Sequence, residues 1–94
     1  MKKGDKFTCE STGGGWTIYD EGIWIVKTKT DKTLVMELVS EQFYSNYEKG
    51  NTLKVGARFH NPVKNHGDGS FSVYPDQAGT PYYFEPVEAK NETP

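Results

Sequence analysis

Apolar and polar residues alternate with a period of two over several short stretches, the pattern of strands with one covered face. From Lys6 to Glu10, Phe7 and Cys9 alternate with Lys6, Thr8 and Glu10. Ser11-Thr12-Gly13-Gly14-Gly15 then breaks the pattern with a flexible loop. Two strands are expected next, Trp16 to Tyr19 and Ile23 to Lys29, with Asp20-Glu21-Gly22 as a tight hairpin turn between them. The second sets Trp24 and Val26 against Ile23 and Ile25, which suits a central strand covered on both sides. After the polar link Thr30-Asp31-Lys32, Leu34, Met36 and Leu38 alternate with Val35, Glu37 and Val39, predicting another hairpin.

Further along, a short helix over 40–49 competes with an aromatic loop. Ser40 can cap it, Glu41 and Lys49 suit its two ends, and Gly50 can terminate it. Lys54 to His60 sets Val55, Ala57 and Phe59 against Lys54, Gly56, Arg58 and His60, a strand with one wet face. Asn61 to Gly69 reads as a loop, Phe71 and Val73 as a short strand ended by Pro75, and Tyr82 to Val87 as a last strand. Pro81 and Pro86 confine that last strand to an edge, since proline cannot donate to a central ladder. The expected fold is therefore all-β, a small antiparallel barrel or rolled sheet, SH3-like in general architecture only. One domain spans 1–87, and 88–94 form a flexible polar tail.

Composition supports strands over helices, with three alanines and three leucines against nine threonines and seven valines. Leu, Ile, Val and Phe number only 18 of 94 residues, so the core is thin, but the formal charge is only −2 and a disordered chain would carry more. Thirteen aromatic residues offset the shortage of aliphatic ones. Neither half of the chain is basic and Arg58 is the only arginine, which disfavours duplex nucleic acid as a partner. No apolar run approaches the length of a membrane span, and the Lys2-Lys3 start lacks the apolar stretch of a secretory signal, so a cytoplasmic location is expected. The lone Cys9 agrees with a reducing compartment.

Candidate chemistry is sparse. Gly13-Gly14-Gly15 lacks the spacing of any phosphate-binding loop. His60, His66, Asp68 and Asp76 do not fall at the spacing of a zinc site, and Asn65 to Gly69 reads better as a polar turn, so no metal site and no cofactor are expected. Cys9 shares a face with Phe7 and reads as a small buried hydrophobe. Glu37 lies between Val35 and Val39, on what the commoner reading makes an exposed or edge surface. With at most two groups for a mechanism that needs three, the chain is not expected to be an enzyme.

The surplus lies in the aromatic residues, whose commoner role is simply to fill a small barrel. In any strand Tyr82 and Tyr83 must point to opposite sides, so at least one of them should meet solvent. If the Asp20 to Gly22 turn closes a hairpin, Trp16 faces a ligand while Trp24 belongs to the core. The candidate contact residues are Trp16, Tyr19, Tyr44, Tyr47, Tyr82 and Tyr83, with Lys54, Arg58 and His60 as a modest basic strip for an anionic ligand. The favoured expectation is a non-enzymatic inhibitor, adaptor or sequestering protein, of the kind phage and mobile elements encode, binding a protein partner or a small planar, nucleotide-like ligand. The alternative is a single-stranded nucleic-acid binder that stacks bases on Tyr and Trp. A thin core, no disulfide and a proline-marked edge also argue for a homo-oligomer.

Overall fold

The computed structural model describes residues 2–12, 17–41, 47–59, 63–74 and 81–87. They form seven strands: β1 (Lys6–Thr12), β2 (Ile18–Lys29), β3 (Thr33–Leu38), β4 (Thr52–Gly56), β5 (Val63–Asn65), β6 (Phe71–Val73) and β7 (Tyr82–Pro86), with a 3-10 turn at Ala57–Phe59. All pair antiparallel in one sheet of order β4-β3-β2-β1-β7-β6-β5, curled into a nearly closed barrel. The expected small antiparallel all-β barrel is the fold observed.

Alternation decides which side chains enter the barrel. Phe7 and Cys9 of β1, Trp24 and Val26 of β2, Leu34, Met36 and Leu38 of β3, and Leu53 and Val55 of β4 all turn inward and are buried. Phe71 and Val73 of β6 and Tyr82 and Phe84 of β7 complete the core. Aromatic rings make up its spine. Phe71 stacks on Phe84 at 4.9 Å between centroids, Phe7 meets Phe71 edge-on at 5.1 Å, and Trp24 meets Phe84 edge-on at 6.1 Å. Tyr47 continues the series against Trp24 at 5.2 Å and against Tyr82 at 5.9 Å. Large rings thus take the volume that leucine would fill in a longer chain.

The main departures from expectation are local. Asp20-Glu21-Gly22 is not a turn; it is a bulge inside the continuous twelve-residue β2, since Glu10 pairs with Asp20 and Cys9 with Gly22, leaving Glu21 as the extra residue. Gly22 has φ +92°, and Asp20 Oδ1 accepts its amide at 2.9 Å. The same residue types serve a turn and a bulge, because both need a positive φ and a local side-chain acceptor. Trp16 is therefore not carried toward Lys27 to Lys29 by a hairpin at this point, and it lies outside the described residues. A second bulge at Lys27 lets β2 coil around the barrel.

The expected strand from Lys54 to His60 stops at Gly56, where φ is +117° and the Ala57 amide donates to the Lys32 carbonyl at 2.9 Å. Ala57 is consequently exposed and Phe59 half-buried, against the alternation that predicted both inside. β5 lies within the segment read as loop, and a turn from His66 to Ser70 joins it to β6. Nor is the proline-flanked β7 an edge. It pairs with both β1 and β6, because Pro86 is its last residue and Pro81 precedes its first, so neither removes a donor from its interior. The edges are β4 and β5, which removes the proline argument for assembly through β7. Half of the helix considered over 40–49, residues 42–46, lies outside the described residues; Ser40 Oγ accepts the Ile23 amide at 2.9 Å. The tail 88–94 and the triglycine also lie outside them.

Candidate functional site

Two concavities mark the described surface. The larger, about 520 Å³, opens where the two unpaired edges approach each other, with Leu34, Val55 and Val63 as apolar lining and Lys29 and Lys32 among its polar residues. The smaller, about 380 Å³, lies on the outer wall of β1 and β7. Glu10 and Thr12 of β1, Ile18 of β2, and Tyr83 and Glu85 of β7 line it, with Ser70 and His66 of the β5–β6 connection.

Strand register places these outer-wall groups. Glu10 pairs directly with Tyr83 on one side and with Asp20 on the other. Glu85 is two positions from Tyr83, so both side chains point outward on the same strand. Thr12 pairs with Ile18, which is 65% exposed, and Tyr83 is 41% exposed. The turn beyond them is rigidly tied: Asp68 Oδ1 accepts the Ser70 amide at 2.9 Å and the Ser70 hydroxyl as well, and these bonds hold the Asp68 carboxyl below its usual range.

Beneath Glu10 the inner wall carries polar groups too. Ser11 and Glu21 are buried, and the Ser11 hydroxyl donates to Glu21 Oε1 at 2.8 Å. The Trp24 indole donates to the Glu21 carbonyl at 3.0 Å, so the bulge that brings Glu21 inside also supplies the indole with its acceptor. Burial pushes the Cys9 thiol well above its ordinary range, and the negative field of Glu21, then Asp20 and Glu10, adds to the shift. Cys9 is therefore the small buried hydrophobe expected, held as the unreactive thiol.

The proposed contact residues separate. Tyr82 is buried and Tyr47 half-buried within the ring series, so both serve the core. Tyr19 is 47% exposed and Tyr83 reaches solvent from the opposite face of the strand to Tyr82, as alternation requires. Lys54 is exposed on β4, whereas Arg58 sits on the 3-10 turn with its guanidinium 5.7 Å from the Phe59 ring centre. Lys54 and Arg58 thus do not share one strand face. Trp16, Tyr44 and His60 lie outside the described residues. Glu37 occupies the outer surface and pairs with Lys27 at 3.3 Å, the commoner of its two readings. Among the described residues no three His, Cys, Asp or Glu side chains gather as metal ligands.

Sequence reasoning missed Glu10, Ile18 and Glu85. The alternation of Glu10 with Cys9 showed that it points outward, but only pairing across strands sets it beside Tyr83. Compared with known proteins, the chain matches no family model, no curated protein and no solved structure. The fold defines the class, a small all-β barrel with an aromatic core. Among the described residues no helix is long and apolar enough to cross a membrane.

Proposed function

We propose that this protein is a non-enzymatic, cytoplasmic recognition protein that holds a protein partner against the outer wall of β1 and β7. One observation carries the reading: Ile18 and Tyr83 flank an outer groove and stand exposed in it, while Phe7, Trp24, Phe71, Tyr82 and Phe84 are held in the core. Large, stiff side chains left in solvent beside a concavity give contact area at small entropic cost, which is how interfaces use them. A small-ligand reading draws support from the seam cleft, whose volume falls in the range of small-molecule sites. Single-stranded nucleic acid has less support, because Lys54 and Arg58 lie on different elements.

The test places a photoreactive amino acid at Thr12, an exposed groove position that leaves Ile18 and Tyr83 intact, and irradiates the protein in its native host. A discrete crosslinked product is expected. Excess unlabelled wild-type chain should suppress it, whereas an Ile18→Asp, Tyr83→Ala chain of unchanged melting temperature should not. No product from Thr12, or equal suppression by both competitors, rejects this face as the contact surface.

A further inference from the structure

The outer groove has a definite chemistry. Its flat element is the Tyr83 ring, and the two acidic residues nearest that ring in the sheet are Glu10, directly across on β1, and Glu85, two residues along β7. Directly opposed residues hold their Cβ atoms about 5 Å apart and same-face neighbours on one strand lie about 7 Å apart, so the ring has one carboxylate at its side and a second along its own strand. Asp20 extends the acidic row beyond Glu10. No cation pairs with Glu10 among the described residues, and Lys64, in the same row, lies three strands away, beyond Tyr83 and Ser72. Ile18 supplies an exposed apolar wall at the β2 end of the same groove, and the Ser70 side of the groove is fixed by its bonds to Asp68.

An apolar groove with a tyrosine floor beside two carboxylates complements a cation that is planar and carries an apolar stem. Guanidinium stacks on an aromatic face and donates in two directions at once, whereas an ammonium is a compact, more strongly hydrated charge. We propose that the groove accepts an arginine side chain of a partner protein, laid on the Tyr83 ring beside Glu10 and Glu85 with its methylene stem against Ile18. The inference rests on the reading of this wall as the contact surface and names the group it contacts. It also reverses the sign expected from Lys54, Arg58 and His60, which pointed to an anionic ligand.

The experiment titrates the full-length, ¹⁵N-labelled protein with a blocked tripeptide, acetyl-Gly-Arg-Gly-amide, and with its lysine and citrulline counterparts. Amide shifts are expected at Glu10, Thr12, Tyr83 and Glu85, strongest for arginine, weaker for lysine and absent for citrulline, which keeps the shape and loses the charge. The E10Q/E85Q chain should bind the arginine peptide roughly three- to tenfold more weakly, in line with two exposed charge contacts, at unchanged melting temperature. Tyr83→Leu should erase the preference for arginine over lysine. Equal shifts with citrulline, shifts spread over remote acids such as Asp31 and Glu41, or full affinity in E10Q/E85Q would overturn the proposal. Crosslinking from Thr12 separates the two levels. A product that persists in E10Q/E85Q keeps the contact surface and removes arginine, whereas absence of product from the wild-type chain removes the surface itself.

Discussion

At Gly56 the backbone has φ +117°, and a Cβ there would sit 2.2 Å from the Lys32 carbonyl oxygen, which already accepts the Ala57 amide. Gly50 has a similar φ, +94°, but open space around it. Gly50→Ala should therefore cost only the left-handed strain, about 1–2 kcal/mol. Gly56→Ala should cost clearly more in the same urea melt, since a backbone atom cannot move aside as a flexible side chain does. Trp24, fully buried and touching two rings, predicts a loss of about 3–5 kcal/mol on change to alanine, enough to unfold so small a domain. Cys9 gives a prediction with a sign. Its folded pKa is raised, so above the ordinary thiol value near 9 the unfolded chain gives up a proton that the native state keeps. Stability should then fall with rising pH by up to about 1.4 kcal/mol per pH unit from this group alone. The difference between wild type and Cys9→Ala, measured from pH 8 to 11, isolates it. A flat difference would show that the thiol titrates alike in both states.

Among the elements, β2 carries the most consequence. Two bulges allow twelve residues to wrap from the rim beside Thr12 to the β3 hairpin, and the first of them swings Glu21 inward to Ser11 and the Trp24 indole. Ser11→Ala withdraws a buried hydrogen bond to a charged group and should cost about 1–3 kcal/mol by chemical denaturation. Deleting Glu21 is the harsher test: it takes out only the extra residue, so Asp20 can stay opposite Glu10 and Ile18 opposite Thr12, but Ser11 loses its acceptor and the Trp24 indole loses the Glu21 carbonyl. Ile18 should then keep its place beside Thr12, and the Thr12 crosslink should survive if the shortened chain still folds. Much of this element was legible: the opposite faces of Trp24 and Val26 against Ile23 and Ile25, and the Thr30-Asp31-Lys32 hairpin, follow from alternation, while the expected cover on both faces is only partial at Ile23 and Ile25. The bulge was not, since Asp-Glu-Gly satisfies a turn equally well and only the partner strand shows that the ladder continues past it.

For the whole molecule, the sheet has β1 near its middle and β4 and β5 at its edges. Amide exchange should be slowest in β1 and the centre of β2, which are paired on both sides, and fastest among the strands in the three-residue β5. Protection of β5 equal to that of β1 would mean that something covers the edge, either β4 across the seam or a second copy of the chain. Binding at the outer wall should weaken with added salt, because its charges are exposed and screened. A salt-independent contact would point to Ile18 and Tyr83 without the carboxylates.

The sequence by itself determined the fold class, which residues share a face in β1, β3 and β6, the place of Trp24 in the core and the splitting of Tyr82 from Tyr83, because alternation is a local property with a period of two and a small aromatic-rich chain has one core to fill. It also indicated the inert Cys9 and a polar turn before Phe71, which begins at His66 and not at Asn65, where residue chemistry suffices. Only the tertiary structure decided which strands are edges, where the extra residue of β2 sits, and that Glu10 stands beside Tyr83. All are facts of pairing between strands, and the last joins residues more than seventy positions apart. No local pattern encodes them, since the register across two strands is settled by the fit of the whole barrel around its rings.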